Sequence, residues 1–128
     1  NDPIYQNGPV NLYSYNYSKG YTDYTTKNWN GGYERLKKAV ELSDLLIAKK
    51  LLTVTLDTNV LILAGITAEN SKHSDDAAKY YGRLADVKIP GAEFESIYRY
   101  LVNYYFGKKD MESFEKYKAM GAELYPKS

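Results

Sequence analysis

Residues 98–126 read YRYLVNYYFGKKDMESFEKYKAMGAELYP, and this stretch decides the fold. With Phe94 and Ile97 just upstream, Tyr98, Leu101 and Tyr105 form one apolar stripe at helical spacing. Gly107 and the lysine pair Lys108-Lys109 break that helix, and Asp110 supplies an N-cap for the next. Phe114, Tyr117, Gly121 and Leu124 then form a second stripe, which Pro126 ends. Two amphipathic helices joined by so short a turn make an antiparallel hairpin. A hairpin cannot bury its stripes on both sides by itself, so a neighbour must stack on it.

The same pattern recurs upstream. Leu61, Ala64, Gly65 and Ala68 mark one face of a helix, with Asp57 or Thr58 as its N-cap. Ser74 is placed to cap the following helix, with Asp75 and Asp76 in its first turn complementing the helix dipole. That helix carries Ala77, Tyr81 and Leu84, and Pro90-Gly91 closes the unit. Further back, Leu36, Val40, Ile47 and Leu51 lie along a helix beginning near Asn30, preceded by Tyr13, Tyr17, Gly20, Tyr21 and Tyr24 at helical spacing. Residues 1–10, with two prolines and an Asn-Gly, read as an irregular arm. The alternating run at residues 52–56 has no strand to pair with and reads as a connecting loop.

The expectation is one domain over residues 11–128, all-α, with helices near 11–27, 30–51, 58–71, 74–87, 92–106 and 110–124 packed as three antiparallel hairpins. Its core should include Ala64, Gly65, Ala77, Tyr81, Leu84, Leu101, Tyr105, Phe114 and Leu124.

These units resemble the tetratricopeptide repeat family, in particular exported bacterial members. The third unit keeps the family's spacing from Tyr98 and Leu101 through Asp110 and Phe114 to Gly121 and Pro126. The second matches through Ala64-Gly65, Ala77, Tyr81 and Leu84, and the first through Lys19-Gly20, Asn28-Trp29 and residues 38–42. Repeats fall at about 13–46, 58–91 and 95–128. The resemblance implies a right-handed α-solenoid of three helix hairpins. It departs from the family in a surplus of roughly ten residues around Lys49 to Thr58 over the usual repeat length. It also departs at Lys19 and Asp23, where the family is apolar, and at Gly32 in place of alanine.

Composition narrows the function. With 128 residues the chain can bury one core, and 17 basic against 16 acidic side chains give a net charge of +1. Such balance sets up no long-range field toward nucleic acid or an anionic membrane, and no apolar run approaches the ~20 residues of a bilayer span. With no cysteine, disulfides, thiol catalysis and cysteine-based zinc sites are excluded. The chain opens without Met or a signal peptide, as if a targeting segment had been removed or the chain trimmed. Its 15 tyrosines, seven of them in the first 33 residues, suit half-buried faces and interfaces.

Catalytic and metal chemistry find no foothold. The one histidine, His73, falls in a turn between helices, and neither a ligand set nor a triad can be built around it. The glutamates fall mostly on polar faces, which does not shift a carboxylate for acid–base work. Asn30-Gly31-Gly32 lacks the lysine and preceding strand of a phosphate loop, and Asn16-Tyr17-Ser18 is a glycosylation sequon by spelling alone. The expectation is a non-enzyme without metal or cofactor.

In the resembling family the first helix of each pair lines a concave groove for a peptide or partner protein. Carried over residue by residue, the groove consists of Tyr17, Tyr21 and Tyr24, then Asn59, Ile62, Ile66 and Glu69, then Arg99, Asn103 and Phe106. Family members that grip a terminal carboxylate use Lys and Asn early in this series. Tyr17 and Tyr21 stand there instead, which disfavours that activity and favours an apolar or proline-containing segment. The alternative is a structural self-association module of a larger envelope protein or assembly with no separate ligand, since self-association or a missing neighbouring segment would explain why no further helix after Pro126 covers the last pair. The family's exported members suggest a periplasmic or secreted setting.

Overall fold

The computed structural model describes residues 3–127. Six α-helices follow one another: α1 (Pro3–Thr25), α2 (Trp29–Ala48), α3 (Thr58–Asn70), α4 (Ser74–Asp86), α5 (Glu95–Gly107) and α6 (Met111–Leu124). A short 3₁₀ turn, Ala92–Phe94, leads into α5, and there is no strand among the described residues. The fold is all-α. Each helix packs on its neighbours in sequence, most extensively in the pairs α1–α2, α3–α4 and α5–α6, and α1 also touches α3.

Two expectations about the helix starts are corrected. Residues 3–10 of the expected irregular arm belong to α1, while residues 1 and 2 lie outside the described residues. Pro3 occupies the first helical position, where its missing N–H costs nothing, and Pro9 inside the helix removes one intrahelical bond without ending it. Ser74 is the first helical residue of α4. The cap position falls on His73, which makes no side-chain capping bond. Asp57 and Asp110 do cap, accepting from Val60 N–H at 3.4 Å and Ser113 N–H at 3.2 Å.

The turns share one device. Every helix from α1 to α5 is followed by a lysine in the left-handed region, Lys27, Lys50, Lys72, Lys88 and Lys109, with φ between 53° and 67°. The residue after each lysine donates its N–H five positions back. Asn28 reaches Asp23 O at 2.7 Å, Leu51 reaches Leu46 O at 2.8 Å, and His73 reaches Ala68 O at 2.8 Å. Ile89 to Leu84 O and Asp110 to Tyr105 O complete the set. This double turn satisfies the last carbonyls of each helix and reverses the chain within a few residues.

The core runs along the seams. Leu36, Leu46, Leu61, Leu84 and Leu101 are fully buried among Ala39, Ala64, Ala68, Ala77 and Ala85. Two glycines set the closest approaches within pairs. A Cβ at Gly20 would fall 2.5 Å from Leu36 Cγ, and one at Gly65 would fall 2.4 Å from the Tyr81 ring.

Tyrosines hold the helices together by their hydroxyls. Tyr13 of α1 donates to Asp57, Tyr33 of α2 to Asp76, Tyr104 of α5 to Asp75, and Tyr117 of α6 to Asp86 at 2.9 Å. Tyr81 of α4 donates to Glu69 at 2.9 Å. Each ring fills a seam while its hydroxyl meets a carboxylate on another element, which accounts for so tyrosine-rich a core. Arg83 adds a forked pair to Asp44 at 2.9 and 3.0 Å, tying α4 to α2. No helix among the described residues is long and apolar enough to cross a membrane.

Candidate functional site

The left-handed lysines at Lys27, Lys72 and Lys109 give the three helix pairs a common register. Ten residues before them stand Tyr17, Ile62 and Arg99; six before, Tyr21, Ile66 and Asn103; three before, Tyr24, Glu69 and Phe106. Asn59 lies thirteen residues before Lys72. Nine of the ten sequence-derived residues therefore occupy equivalent positions on α1, α3 and α5, and Asn59 has no counterpart among them.

None of the ten is buried. Tyr17, Tyr24, Ile62 and Ile66 are half-buried, and the other six are exposed, Tyr21 at 50% and Phe106 at 60%. Tyr17 shares a shallow depression of about 330 Å³ with Asn59, Tyr13 and Asp57, which places α1 and α3 side by side there. Burial, and then the charge of Asp57, raise the Tyr17 pKa above its ordinary value and keep the hydroxyl a donor. The Tyr21 ring lies 6.0 Å from Tyr24, which in turn meets Trp29 edge-on at 6.2 Å. This aromatic run leads from the end of α1 to Trp29 at the start of α2.

Further along, the residues are already engaged. Glu69 accepts the Tyr81 hydroxyl, Arg99 pairs with Glu95 at 3.0 Å, and Phe106 lies 5.4 Å from Phe114 of α6. Arg99 and Asn103 do share a cavity, but it is a different one: a cleft of about 410 Å³ between α5 and α6. Tyr98, Val102, Tyr117, Lys118, Gly121, Ala122 and Tyr125 line it as well. Of the ten, Tyr17 and Asn59 thus line the depression over α1 and α3, Arg99 and Asn103 line the α5–α6 cleft, and the other six line neither.

That cleft is what sequence reasoning missed, and the core needs a correction in the same helix pair. Tyr105, Phe114 and Leu124, expected to be buried, are only half-buried. Ala64, Gly65, Ala77, Tyr81, Leu84 and Leu101 are buried as expected. The misplaced residues all belong to the last pair, over whose outer side no described helix lies. The sequence signal was Lys118, whose counterparts nine residues after the turn lysine are Leu36 and Tyr81.

His73 is an exposed turn residue. Its ring stacks on Tyr33 at 3.8 Å and its Nδ1 lies 2.8 Å from the Ser71 hydroxyl. The described residues contain no group of three or more His, Cys, Asp or Glu placed to hold a metal ion. No family model, curated protein or solved structure matches the chain.

Proposed function

We propose that the chain is a protein-interaction module, a right-handed solenoid of three tetratricopeptide-like hairpins that takes a peptide or partner segment along α1, α3 and α5. The supporting observation is the common register of Tyr17, Tyr21 and Tyr24, Ile62, Ile66 and Glu69, and Arg99, Asn103 and Phe106, none of them buried, with Asn59 exposed one turn before Ile62. The pairwise ties agree with stacked hairpins. Tyr33–Asp76 and Arg83–Asp44 join α2 to α4, and Tyr117–Asp86 joins α4 to α6. Half-exposed tyrosines supply rigid contact area with little entropy to lose, and they favour an apolar or proline-containing segment.

Tyr21 is the residue to test. Peptides selected on the wild-type protein from a displayed library should lose about 1–3 kcal/mol of binding on Tyr21→Ala, as truncating an aromatic anchor does. The melting temperature should stay within a few degrees. Peptides that bind Tyr21→Ala as tightly as wild type would sink the groove. A melting temperature lowered by about ten degrees would instead assign Tyr21 to the fold.

Self-association is the second reading, favoured by the open α5–α6 cleft.

A further inference from the structure

Counting forward from the turn lysines by nine, twelve and thirteen residues gives Leu36, Ala39 and Val40 in the first pair, then Tyr81, Leu84 and Ala85 in the second. All six are buried. The same count in the third pair gives Lys118, Gly121 and Ala122, which are exposed or half-buried and line the α5–α6 cleft. Counting backward by twelve, nine and five gives Val60, Leu63 and Thr67 on α3, and Ile97, Tyr100 and Tyr104 on α5. These are the faces that meet the preceding pair. A Cβ on Gly32 of α2 would fall 3.0 Å from Thr67 Cγ2, the Tyr100 ring meets Tyr81 edge-on at 5.2 Å, and Tyr104 bonds to Asp75. Within the chain, then, Leu36 and Tyr81 abut Gly20 and Gly65 of their own pairs, and the first helix of the next pair adds the outer cover, as Tyr100 does on Tyr81.

On α1 the corresponding residues are Tyr15, Ser18 and Thr22. All three are exposed and uncharged, with Leu12 beside them at 53% exposure and Tyr15 at 49%. We propose that α1 of a second copy seats in the α5–α6 cleft, in the place α3 takes on the first pair and α5 on the second. Sizes match across this contact. Tyr15 is larger than its counterparts Val60 and Ile97, and it would meet Gly121, which is smaller than Ala39 and Leu84. The stripe on α1 is itself uncharged, and Lys118, at the place of Leu36 and Tyr81, would lie under Ser18, whose hydroxyl accepts from an ammonium. Lys19 and Arg35 lie over the Tyr15 ring at 5.9 and 5.2 Å, and at the cleft rim Arg99 is paired with Glu95 at 3.0 Å. The two surfaces differ, so the contact is head-to-tail and continues from copy to copy.

The inference rests on the stacking of the pairs and not on the groove; a chain whose Tyr21→Ala variant binds peptides normally could still associate this way. The test is sedimentation of the full chain from about 10 µM to about 1 mM, the range of weak interfaces. Wild type should at least double its weight-average mass across that range. Tyr15→Asp and Ala122→Arg, both at exposed positions, should each remain monomeric with unchanged helical content and melting temperature. Each variant keeps one intact surface, so an equimolar mixture should form a dimer and stop there. A wild type that stays monomeric to about 1 mM overturns the proposal. So do variants that associate like wild type, or a mixture that stays monomeric, which would point to a symmetric contact through one surface.

Discussion

Leu36 and Lys118 stand at the same place in their helix pairs, nine residues beyond a left-handed lysine, yet one is fully buried and the other exposed. The turns at the two ends of the molecule are alike, and so are the N-caps, Asn28 and Asp110, which each accept from a backbone N–H three residues on. What differs is cover. The first pair has α3 lying over it, whereas no described helix lies over the outer side of the last. In a stacked helical chain, local sequence makes the hairpin, but the neighbour decides which of its faces becomes core.

Truncations should expose this asymmetry most strongly. Leu101 is fully buried on the covered side of the last pair, whereas Leu124 is half-buried. Leu101→Ala should cost about 2–5 kcal/mol, the range for a buried leucine. Leu124→Ala should cost about 1 kcal/mol or less, as at other partly exposed positions. Chemical denaturation of both variants checks this. Equal losses would mean that the last pair is covered after all.

Alkaline pH probes the hydroxyl ties. Burial first, then the hydrogen bond to Asp86, pushes Tyr117 up to about 12; burial first, then the charge of Asp76, does the same for Tyr80. Tyr13, Tyr33, Tyr81 and Tyr104 shift in the same direction, for burial first and then their carboxylate partners. A tyrosine whose folded pKa lies above its unfolded value holds its proton more tightly in the native state. Its contribution is complete below about pH 10 and is lost as pH climbs toward the folded value. The melting temperature should therefore fall steeply between about pH 10 and 12. Tyr117→Phe should make that fall shallower, because one of the protons released on unfolding is gone. A flat profile would show that these hydroxyls are not held in the fold.

Glycine substitutions compare a tight seam with an open end. At Gly65 an added Cβ would fall 2.4 Å from the Tyr81 ring, while at Gly107 nothing lies within 4 Å. Gly65→Ala should destabilise by about 1–3 kcal/mol through overpacking. Gly107→Ala should gain up to about 1 kcal/mol, because alanine suits a helix better and meets no neighbour.

The six helices were legible because each carries a periodic stripe with a breaker behind it, as Leu61, Ala64, Gly65 and Ala68 do ahead of the Ser71–Lys72 turn. The start of α1 was not legible, because Pro9 and Asn7-Gly8 carry a local signal for irregular chain that the helix overrides. Nor was the half-burial of Phe114 and Leu124, because periodicity reports which face of a helix is apolar and not whether anything lies over it. Of the site, the equivalence of nine of the ten proposed groove positions could be counted from the turns. The α5–α6 cleft could not, since it depends on what fails to cover Lys118 and Gly121.

The smallest expected effect lies in the turns, where the two ends of the molecule should behave alike. Lys109 adopts φ 61° and Lys27 φ 63°, in the region where a Cβ crowds the following carbonyl. Glycine removes that contact, at the cost of greater freedom in the unfolded chain. A lysine here also places a positive charge at the negative end of its helix, worth about 0.3–1 kcal/mol at an exposed site. The two terms oppose each other, so Lys109→Gly should change stability by less than about 1 kcal/mol, with relief of strain setting the sign toward stabilisation. Asparagine separates them, because it tolerates the left-handed region but carries no charge. If charge matters, Lys109→Gly and Lys109→Asn should both improve relative to wild type as salt screens the dipole interaction that only wild type enjoys. The same pair of substitutions at Lys27 should give the same signs. Opposite signs at the two turns would show that the shared φ hides different strain, and would break the common register on which the comparison of the helix pairs depends.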